Sequence, residues 1–353
     1  MQLTQDIPVR KIRRSKIGKV DFSSLEFGKY ISDHMLVCDY YDGEWQTPQI
    51  LPFANLSLSP ATLALHYGQS VFEGMKAFRM KDGSINIFHI DNYDRLVKSL
   101  QRMCMQVPPK EIFAEGLTEL VKLDKAWVPD GNGSSLYIRP FVFASEAKFG
   151  VKVADEYRFI IFSGPVGPYY AKPLRVKVER EFIRAARGGT GYAKCAGNYG
   201  GAFYPTQLAR EKGFDQVLWT DAGENKFIEE SGTMNVMFVI NGKLITPGLS
   251  DSILDGVTRD SLIQLAKDKG VAVEERRICT DELITAFRDN TITEAFGAGT
   301  AAVVAPINLI HIDGVDYKLP FYTVNNLMNQ LKQQLEDIRT GRVSDIYNWN
   351  HII

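Results

Sequence analysis

The feature that most limits the fold is a stretch of prolines and glycines near the middle of the chain. SGPVGPYYAKPL, residues 163–174, holds three prolines and two glycines, a composition that interrupts helices and strands. Strand and helix patterns alternate on both sides of it, and 353 residues are ample for two domains. The sequence therefore predicts an α+β (mixed α/β) protein with an N-terminal domain over 1–164, an interdomain loop over 165–175 and a larger C-terminal domain over 176–353.

The N-terminal half contains both of the periodicities that distinguish strands from helices. SINIFHI, residues 84–90, alternates apolar and polar side chains like a strand, whereas residues 91–107 repeat their apolar side chains at helical spacing. Asp91 is a residue type that begins helices well, and we interpret it as the N-cap. The remaining patterns predict a helix over 112–124 and strands over 134–145 and 157–167.

The C-terminal half has more glycine turns between its predicted elements. Asn241–Gly242 is a strong hairpin signal between two strand patterns, and residues 291–310 are typical of a strand, a glycine turn and a second strand. Other strands are predicted over 174–179 and 216–221, and helices around 200–213 and over 256–270 and 322–341.

Composition excludes several classes of protein. The apolar fraction of 45% and the charged fraction of 24% are ordinary for a globular protein, and a net charge of -1 argues against bulk attraction to nucleic acid or membranes. The apolar runs are too short to cross a bilayer, and the N-terminus lacks the apolar segment of a secretory signal. We interpret the basic run at residues 10–16 as a solvated face, with a nucleic-acid arm or a transit peptide as alternatives.

The cysteines indicate a reducing compartment. Four are present and no two are closely spaced, so they form neither a zinc-binding pattern nor a disulfide framework. They are Cys38, Cys104, Cys195 and Cys279. We therefore expect a cytoplasmic protein without a metal site.

One lysine stands in an unusual setting. GGTGYAKCAGNYGG, residues 188–201, contains six glycines and a single cationic side chain, Lys194. Taken alone, this is most simply an exposed loop lysine. A lysine amine is also a nucleophile when its pKa is lowered or when it is held as an imine.

Three further features in the same half of the chain match an imine-forming lysine. Gly256–Thr258 begin an amphipathic helix, where free N–H groups and the helix dipole favour an anion. FGAGTAAVV supplies a glycine turn whose donors are the Thr300 hydroxyl and the backbone amides of Thr300 and Ala301. IEESGTMN supplies two acids, Glu229 and Glu230.

Each of these features has a plain structural alternative, a helix cap or a wet acidic surface. Together they provide what pyridoxal phosphate chemistry requires: an amine, a phosphate site, an acid for the pyridine nitrogen and donors for a substrate carboxylate. Tyr199, five residues after Lys194, has a hydroxyl that could bond to the ring oxygen.

At these residues the chain resembles the branched-chain amino acid aminotransferases, which belong to the fold type IV class of pyridoxal phosphate enzymes. The resemblance covers nearly the whole chain and is carried, in order, by SDHMLVCDY, LHYGQSVFEGMKAF, LYIRPFVF, KCAGNYGG, DQVLWTD, EESGTMNV, ILDGVTRDSL and FGAGTAA. The length is closer to the branched-chain group than to the shorter D-amino acid aminotransferases and aminodeoxychorismate lyases of the same fold.

The resemblance implies a set of residues for the cofactor. Lys194 would form the internal aldimine, Tyr199 would contact the ring oxygen, and Glu230 would hold the pyridine nitrogen, with Glu229 as the weaker candidate. The phosphate would be bound by Arg95, Val257, Thr258 and Thr300.

The resemblance also implies a set of residues for the substrate. The Thr300–Ala301 turn would take the substrate carboxylate, and Arg139 would meet the distal carboxylate of glutamate. The side-chain pocket would be shaped by Phe27, Tyr67, Phe72, Tyr137 and Tyr169, although Phe72 and Tyr137 lie in apolar strand-like runs and would otherwise be core residues. Phe149 and Val151 would enter the pocket of a neighbouring subunit, so the resemblance implies a homodimer with a shared active site.

One departure from the family pattern concerns the thiols. Some members carry a Cys-x-x-Cys pair just after the glycine turn, whereas Ala302 and Ala305 stand at those places here. We therefore expect no disulfide switch at this turn.

The sequence thus predicts a ping-pong transaminase that exchanges the amino group between leucine, isoleucine or valine and 2-oxoglutarate, with Lys194 as the catalytic base. The alternatives are a lyase or D-amino acid aminotransferase of the same fold, a non-catalytic pyridoxal phosphate carrier, and a cofactor-free Schiff-base aldolase. The carrier would need neither Arg139 nor the aromatic pocket, and the aldolase would not need the anion site at Gly256–Thr258.

Overall fold

A computed structural model describes residues 7–90, 92–131, 133–170 and 172–353. These residues form two compact units. The first comprises the described part of Met1–Tyr169 together with Ala193–Ala196 and Ile338–Ile353, and the second comprises the described part of Tyr170–Tyr192 with Gly197–Asp337. Asp91, which we interpreted as a helix N-cap, lies outside the described residues.

Antiparallel strands form the sheet of the first unit. In chain order they are β1 (His34–Tyr41), β2 (Glu44–Trp45), β3 (Gln49–Pro52), β4 (Ser70–Phe72), β5 (Met75–Arg79), β6 (Ile85–Phe88), β7 (Ser135–Ala144), β8 (Tyr157–Val166) and, from the C-terminus, β18 (Asn350–Ile352). The spatial order is β18-β6-β5-β7-β8-β1-β2, with β3 paired to β1 and β4 paired to β7.

Among the described residues, three α-helices accompany this sheet: α1 (Leu63–Tyr67), α2 (Asn92–Arg102) and α3 (Lys110–Leu123). Their apolar stripes join the sheet in one core, because Leu96 and Leu100 of α2 and Leu117 of α3 are all fully inaccessible to solvent. Burial of such a stripe is the main source of stability for a helix of this length. The core therefore fixes the position of α2, which carries Arg95.

The second unit is built on a mixed sheet. Its strands are β9 (Leu174–Val178), β10 (Gln216–Thr220), β11 (Ile228–Ser231), β12 (Met234–Ile240), β13 (Lys243–Thr246), β14 (Val273–Glu275), β15 (Ile292–Gly299), β16 (Val303–Ile312) and β17 (Val315–Lys318). The order is β11-β10-β9-β16-β15-β12-β13-β14, with β17 on β16, and β11 also pairs with β12. Six of the strands thus form a closed ring of pairs.

The helices of the second unit are α4 (Ala196–Gly201), α5 (Phe203–Glu211), α6 (Val257–Asp268), α7 (Thr280–Arg288) and α8 (Leu327–Arg339). The first residue of α4 and the last two residues of α8 belong to the first unit. The Asn241–Gly242 hairpin forms as its sequence indicates, with both residues at positive φ, as a two-residue primed turn requires. The predicted mixture of strands and helices in two units is the observed architecture.

Some element boundaries differ from the sequence prediction. The helix predicted over 91–107 ends at Arg102, where Cys104 adopts a positive φ, and the helix predicted over 322–341 begins at Leu327. Helix α7 and strands β11 and β14 were not predicted, because their polar and apolar residues have no long periodic run.

The largest difference concerns the domain boundaries. The compact units separate within the predicted loop, between Tyr169 and Tyr170, but the segment Ala193–Ala196 belongs to the first unit rather than to a continuous C-terminal domain. The physical reason is strand pairing: Cys195 forms an antiparallel bridge with Val71 of β4. The C-terminal strand β18 joins the first unit in the same way, through β6.

Candidate active site

The backbone of Lys194 is fixed at both of its polar groups. Its carbonyl accepts a hydrogen bond from the Phe72 N–H at 3.1 Å, and its N–H donates to the Ser99 hydroxyl of α2 at 2.9 Å. Its neighbours Ala193 and Cys195 are buried in the core of the first unit, whereas Lys194 itself is half-buried. Because side chains alternate along an extended segment, this register turns the Lys194 side chain away from that core.

An aromatic cluster begins beside the amine of Lys194. The Lys194 Nζ lies 4.9 Å from the centre of the Phe72 ring, and the Arg139 Cζ lies 4.6 Å from the same ring. Arg139 also donates to the Tyr137 hydroxyl at 3.1 Å. The cluster is completed by edge-to-face contacts of Phe27 with Tyr137 at 4.9 Å and with Tyr169 at 5.0 Å.

The aromatic cluster thus brings together six of the predicted site residues. It consists of Phe27, Phe72, Tyr137, Arg139, Tyr169 and Lys194. A guanidinium held over aromatic rings is stabilised by cation–π attraction and can still donate to a ligand. This arrangement offers an apolar wall with one anion-binding group.

Gly74 makes room for the cluster, and the sequence did not single it out. A Cβ at Gly74 would lie 2.3 Å from the Tyr137 hydroxyl oxygen, a separation that forces one of them to move. The signal was present in VFEGMK, where a glycine separates two strands, but glycine alone does not reveal which side chain it accommodates.

Arg95 is anchored by an acid that the sequence also did not single out. The buried carboxylate of Glu73 accepts from Arg95 Nε at 2.9 Å and from Arg95 Nη2 at 2.7 Å. A bidentate pair of this kind fixes the plane of the guanidinium as well as its position. The pair links α2 to the residue that directly follows Phe72, the last residue of β4.

The second unit carries the predicted acid in an acid cluster formed by Arg184, Glu229, Glu230, Ser252 and Leu254. Glu230 Oε1 accepts the Leu254 N–H at 2.7 Å, and its Oε2 lies 3.2 Å from Arg184 Nε. Glu229 Oε1 accepts a hydrogen bond from the Ser252 hydroxyl. The carboxylate of Glu230 is therefore compensated by a cation and a backbone donor although it is buried.

The start of α6 is fixed through Leu254. The Leu254 carbonyl accepts from Asn235 Nδ2 at 2.9 Å while its N–H donates to Glu230. Gly256, the N-cap, has no side chain, and a Cβ there would lie 1.9 Å from Asn235 Oδ1. The half-buried Val257 and Thr258 follow as the first helical residues. Their N–H groups are among those that have no partner within a helix, which is the usual reason for anions to bind there.

The predicted carboxylate turn connects β15 to β16. Gly299 pairs with Val303, so Thr300, Ala301 and Ala302 form the loop of a tight hairpin. Val303 has a φ of 62°, which is unfavourable for a β-branched residue. The turn is held in this conformation by the strand pairs on both sides of it.

The remaining predicted residues lie on other elements of the fold. Tyr199 is half-buried on α4 in the second unit. Tyr67 is 43% exposed on α1, with its ring centre 6.1 Å from that of His66. Phe149 and Val151 are 92% and 85% exposed on the segment after β7.

The turn itself contains no cysteine, and alanine occupies positions 302 and 305. Among the cysteines, all of which are described, each is a free thiol, and Cys38 and Cys195 are buried. Burial raises the pKa of the Cys38 thiol to about 12, which suppresses the reactive thiolate.

Three comparisons with known proteins match the chain along most of its length. The profile of Amino-transferase class IV matches residues 70–310. Branched-chain-amino-acid transaminase 1 of Bacillus subtilis (strain 168) is 47% identical over 337 residues, which is 94% of this chain and 95% of that protein.

Solved structures match as well. The branched-chain aminotransferase of Thermoproteus uzoniensis with norvaline superposes with a TM-score of 0.74 at 26% identity, over 90% of this chain and 99% of that chain. The branched-chain amino acid aminotransferase of Escherichia coli gives a TM-score of 0.72 at 26% identity, over 89% of this chain and 98% of that chain. None of the helices in the described ranges is long and apolar enough to cross a membrane.

Proposed function

Because the chain belongs to the class IV aminotransferases, we propose that it exchanges the amino group between L-leucine, L-isoleucine or L-valine and 2-oxoglutarate, with pyridoxal 5'-phosphate as cofactor. The observation that carries the proposal is the aromatic cluster, in which the amine of Lys194 and the guanidinium of Arg139 lie against the same Phe72 ring. This arrangement combines a base, an apolar wall and an anion-binding group.

The residues present fit the cofactor. Glu230 is a buried acid with its charge compensated, Gly256 leaves the start of α6 without a side chain, and Arg95 is a guanidinium of fixed orientation. We assign Lys194 to the aldehyde carbon of the cofactor and Tyr199 to the oxygen on its ring. Glu230 is assigned to the ring nitrogen. The phosphate is assigned to Arg95, Val257, Thr258 and Thr300.

When bound, pyridoxal phosphate supplies an electron-accepting ring that stabilises negative charge at the substrate Cα. The chain supplies the proton transfer: Lys194 Nζ takes the proton from Cα and later returns it. An ionised Glu230 keeps the ring nitrogen protonated, since a nearby opposite charge favours the charged form of a base.

The residues assigned to the substrates must accommodate an apolar side chain in one half-reaction and a carboxylate in the other. A branched side chain requires an apolar pocket, which Phe27, Phe72 and Tyr137 provide, with Tyr67 and Tyr169 assigned beside them. The second substrate carries a distal carboxylate, which we assign to Arg139 because a guanidinium binds a carboxylate through two parallel hydrogen bonds. The carboxylate common to both substrates is assigned to the Thr300–Ala301 turn.

We further propose that the protein acts as a homodimer in the cytoplasm. Phe149 and Val151 are large apolar side chains that are almost fully exposed, and such side chains are usual where a partner covers them. We assign both to the substrate pocket of the second copy. Four widely spaced free cysteines support a reducing compartment.

The test of the proposed function is exchange of a labelled amino group between leucine and 2-oxoglutarate. We expect exchange with the wild type, none with Lys194→Ala, and unchanged exchange with Lys212→Ala, a control at the end of α5. Exchange by Lys194→Ala near the wild-type rate would contradict the assignment. Cofactor binding without exchange in the wild type would favour a lyase or a carrier.

A further inference from the structure

Two consecutive glutamates of β11 are both nearly inaccessible to solvent. Glu229 is 8% exposed and Glu230 is 2% exposed. Two buried carboxylates cannot both be ionised without a cost, because each charge loses its hydration and the Glu230 charge adds a smaller repulsion at Glu229. The partners of the two residues indicate how this cost is avoided.

The partners of Glu230 suit an ionised group. One of its oxygens accepts a backbone N–H from Leu254, and the other lies 3.2 Å from the largely buried guanidinium of Arg184. Arg184 is itself held in place, because its Nη2 donates to the carbonyl oxygens of Gly191 and Ser252. The cation is thus fixed at one oxygen of Glu230.

The partners of Glu229 suit a neutral group. Its Oε1 accepts from the Ser252 hydroxyl, whereas its Oε2 has no hydrogen-bond partner among the described residues. A buried ionised oxygen without a donor is among the costliest arrangements in a protein, and a bound proton removes the charge. Burial also raises the pKa of the Glu229 carboxyl. The hydrogen bond from Ser252 and the charge of Arg184 lower this pKa, whereas the charges of Glu230 and Asp221 raise it further.

Glu229 lines a cleft of about 860 Å³, and the other charged groups of that cleft have their own partners or lie at its exposed rim. Arg276 bonds to Glu274 and Glu282, and Arg277 lies over the Phe227 ring. Asp221 accepts several backbone N–H groups, Asp251 accepts the Gly188 N–H, and Arg187 is exposed. The compensation of a buried carboxylate therefore falls to Arg184.

We propose that Glu229 is held in its neutral form and that Arg184 is a positioning residue which reserves the one negative charge of this pair for Glu230. This rests on the proposed function, in which Glu230 meets the nitrogen of the cofactor ring. Ser252 connects the two acids, since its hydroxyl donates to Glu229 and its carbonyl accepts from Arg184. One acid of the pair is therefore ionised and the other is neutral.

The first experiment compares two isosteric variants of the holoenzyme, Glu229→Gln and Glu230→Gln. We expect Glu229→Gln to keep the dissociation constant for pyridoxal phosphate and the absorption spectrum of the bound cofactor within about twofold of wild type, because an amide replaces a group that is already neutral. We expect Glu230→Gln to raise the dissociation constant for pyridoxal phosphate at least about tenfold. Equal losses in the two variants would overturn the proposal.

The second experiment tests Arg184. Arg184→Gln removes the cation, and we expect weaker cofactor binding and an altered absorption spectrum. Arg184→Lys should recover part of both, because it restores the charge without the two carbonyl contacts. A spectrum and affinity equal to wild type in Arg184→Gln would overturn the role of Arg184.

The third measurement does not depend on the cofactor, and it applies even when Arg184→Gln does not fold. An infrared difference spectrum between wild type and Glu229→Gln at neutral pH should show the carbonyl stretch of a protonated carboxyl in the wild type alone. Absence of that band would overturn the neutral state of Glu229. Failure of the wild type to bind pyridoxal phosphate at Lys194 would instead contradict the proposed function.

Discussion

The aromatic cluster of the first unit and the acid cluster of the second unit are built in contrasting ways. In the aromatic cluster, Arg139 and Lys194 are half-buried cations that lie against rings. In the acid cluster, Glu230 and Arg184 form a close ion pair whose members also bond to the backbone. Under the proposed function, we interpret the first region as the one that meets both substrates and the second as the one that keeps a single electrostatic state.

The Glu73–Arg95 pair is a buried ion pair of the first unit, and breaking it should have the largest effect on stability. Glu73→Ala leaves the buried Arg95 charge without its carboxylate, which we expect to lower the free energy of unfolding by about 3–5 kcal/mol. The measurement is denaturant unfolding of the protein without cofactor, because the phosphate assigned to Arg95 would otherwise compensate its charge. The control is Asp39→Ala, which breaks a half-exposed pair with Arg158 and should cost at most about 1 kcal/mol.

Equal losses from Glu73→Ala and Asp39→Ala would show that burial does not distinguish the two pairs. The contrast between buried and half-buried charge would then lose its support in the first unit.

Arg139→Gln should separate the two half-reactions. Loss of a charge-assisted pair from a site built for it costs about 2–5 kcal/mol, and we expect that loss in kcat/KM for glutamate. Leucine has no distal carboxylate, so kcat/KM for leucine should fall much less. The measurement is single-turnover kinetics with each amino acid, and equal losses for both would assign Arg139 to structure instead.

Gly74→Ala should disturb the aromatic cluster by a smaller amount. The added methyl group overlaps the Tyr137 hydroxyl, and overpacking of this kind costs about 1–3 kcal/mol. The double variant Gly74→Ala, Tyr137→Phe lacks that hydroxyl, and it should recover the thermal stability that Gly74→Ala loses. Gly18→Ala is the control, because a Cβ at that position meets no atom within 4 Å. No recovery in the double variant would place the strain elsewhere.

The sequence predicted the elements more completely than the contacts between them. Long periodic runs such as those of α2, α6 and α8 and the Asn241–Gly242 hairpin were readable, because they depend on residues close in the chain. The position of Lys194 in the first unit could not be predicted from the sequence. It depends on a bridge between Cys195 and Val71, and such long-range pairing leaves no local pattern.

The candidate site shows the same limit. Motifs supplied residues whose chemistry is conspicuous, such as Lys194 and Glu230, and the aromatic residues with them. Residues that act by holding others, including Glu73, Arg184 and Asn235, were missed because their type does not reveal their partner. Buried charge is visible only once burial is known.

The central claim is that the chain carries an amino group from a branched-chain amino acid to a 2-oxo acid by way of one cofactor bound at Lys194. The most direct measurement is the absorption spectrum of the holoenzyme after leucine is added without an acceptor, and again after 2-oxoglutarate. We predict conversion to the amine form of the cofactor in the first step and full recovery in the second. A spectrum that leucine leaves unchanged would contradict the claim.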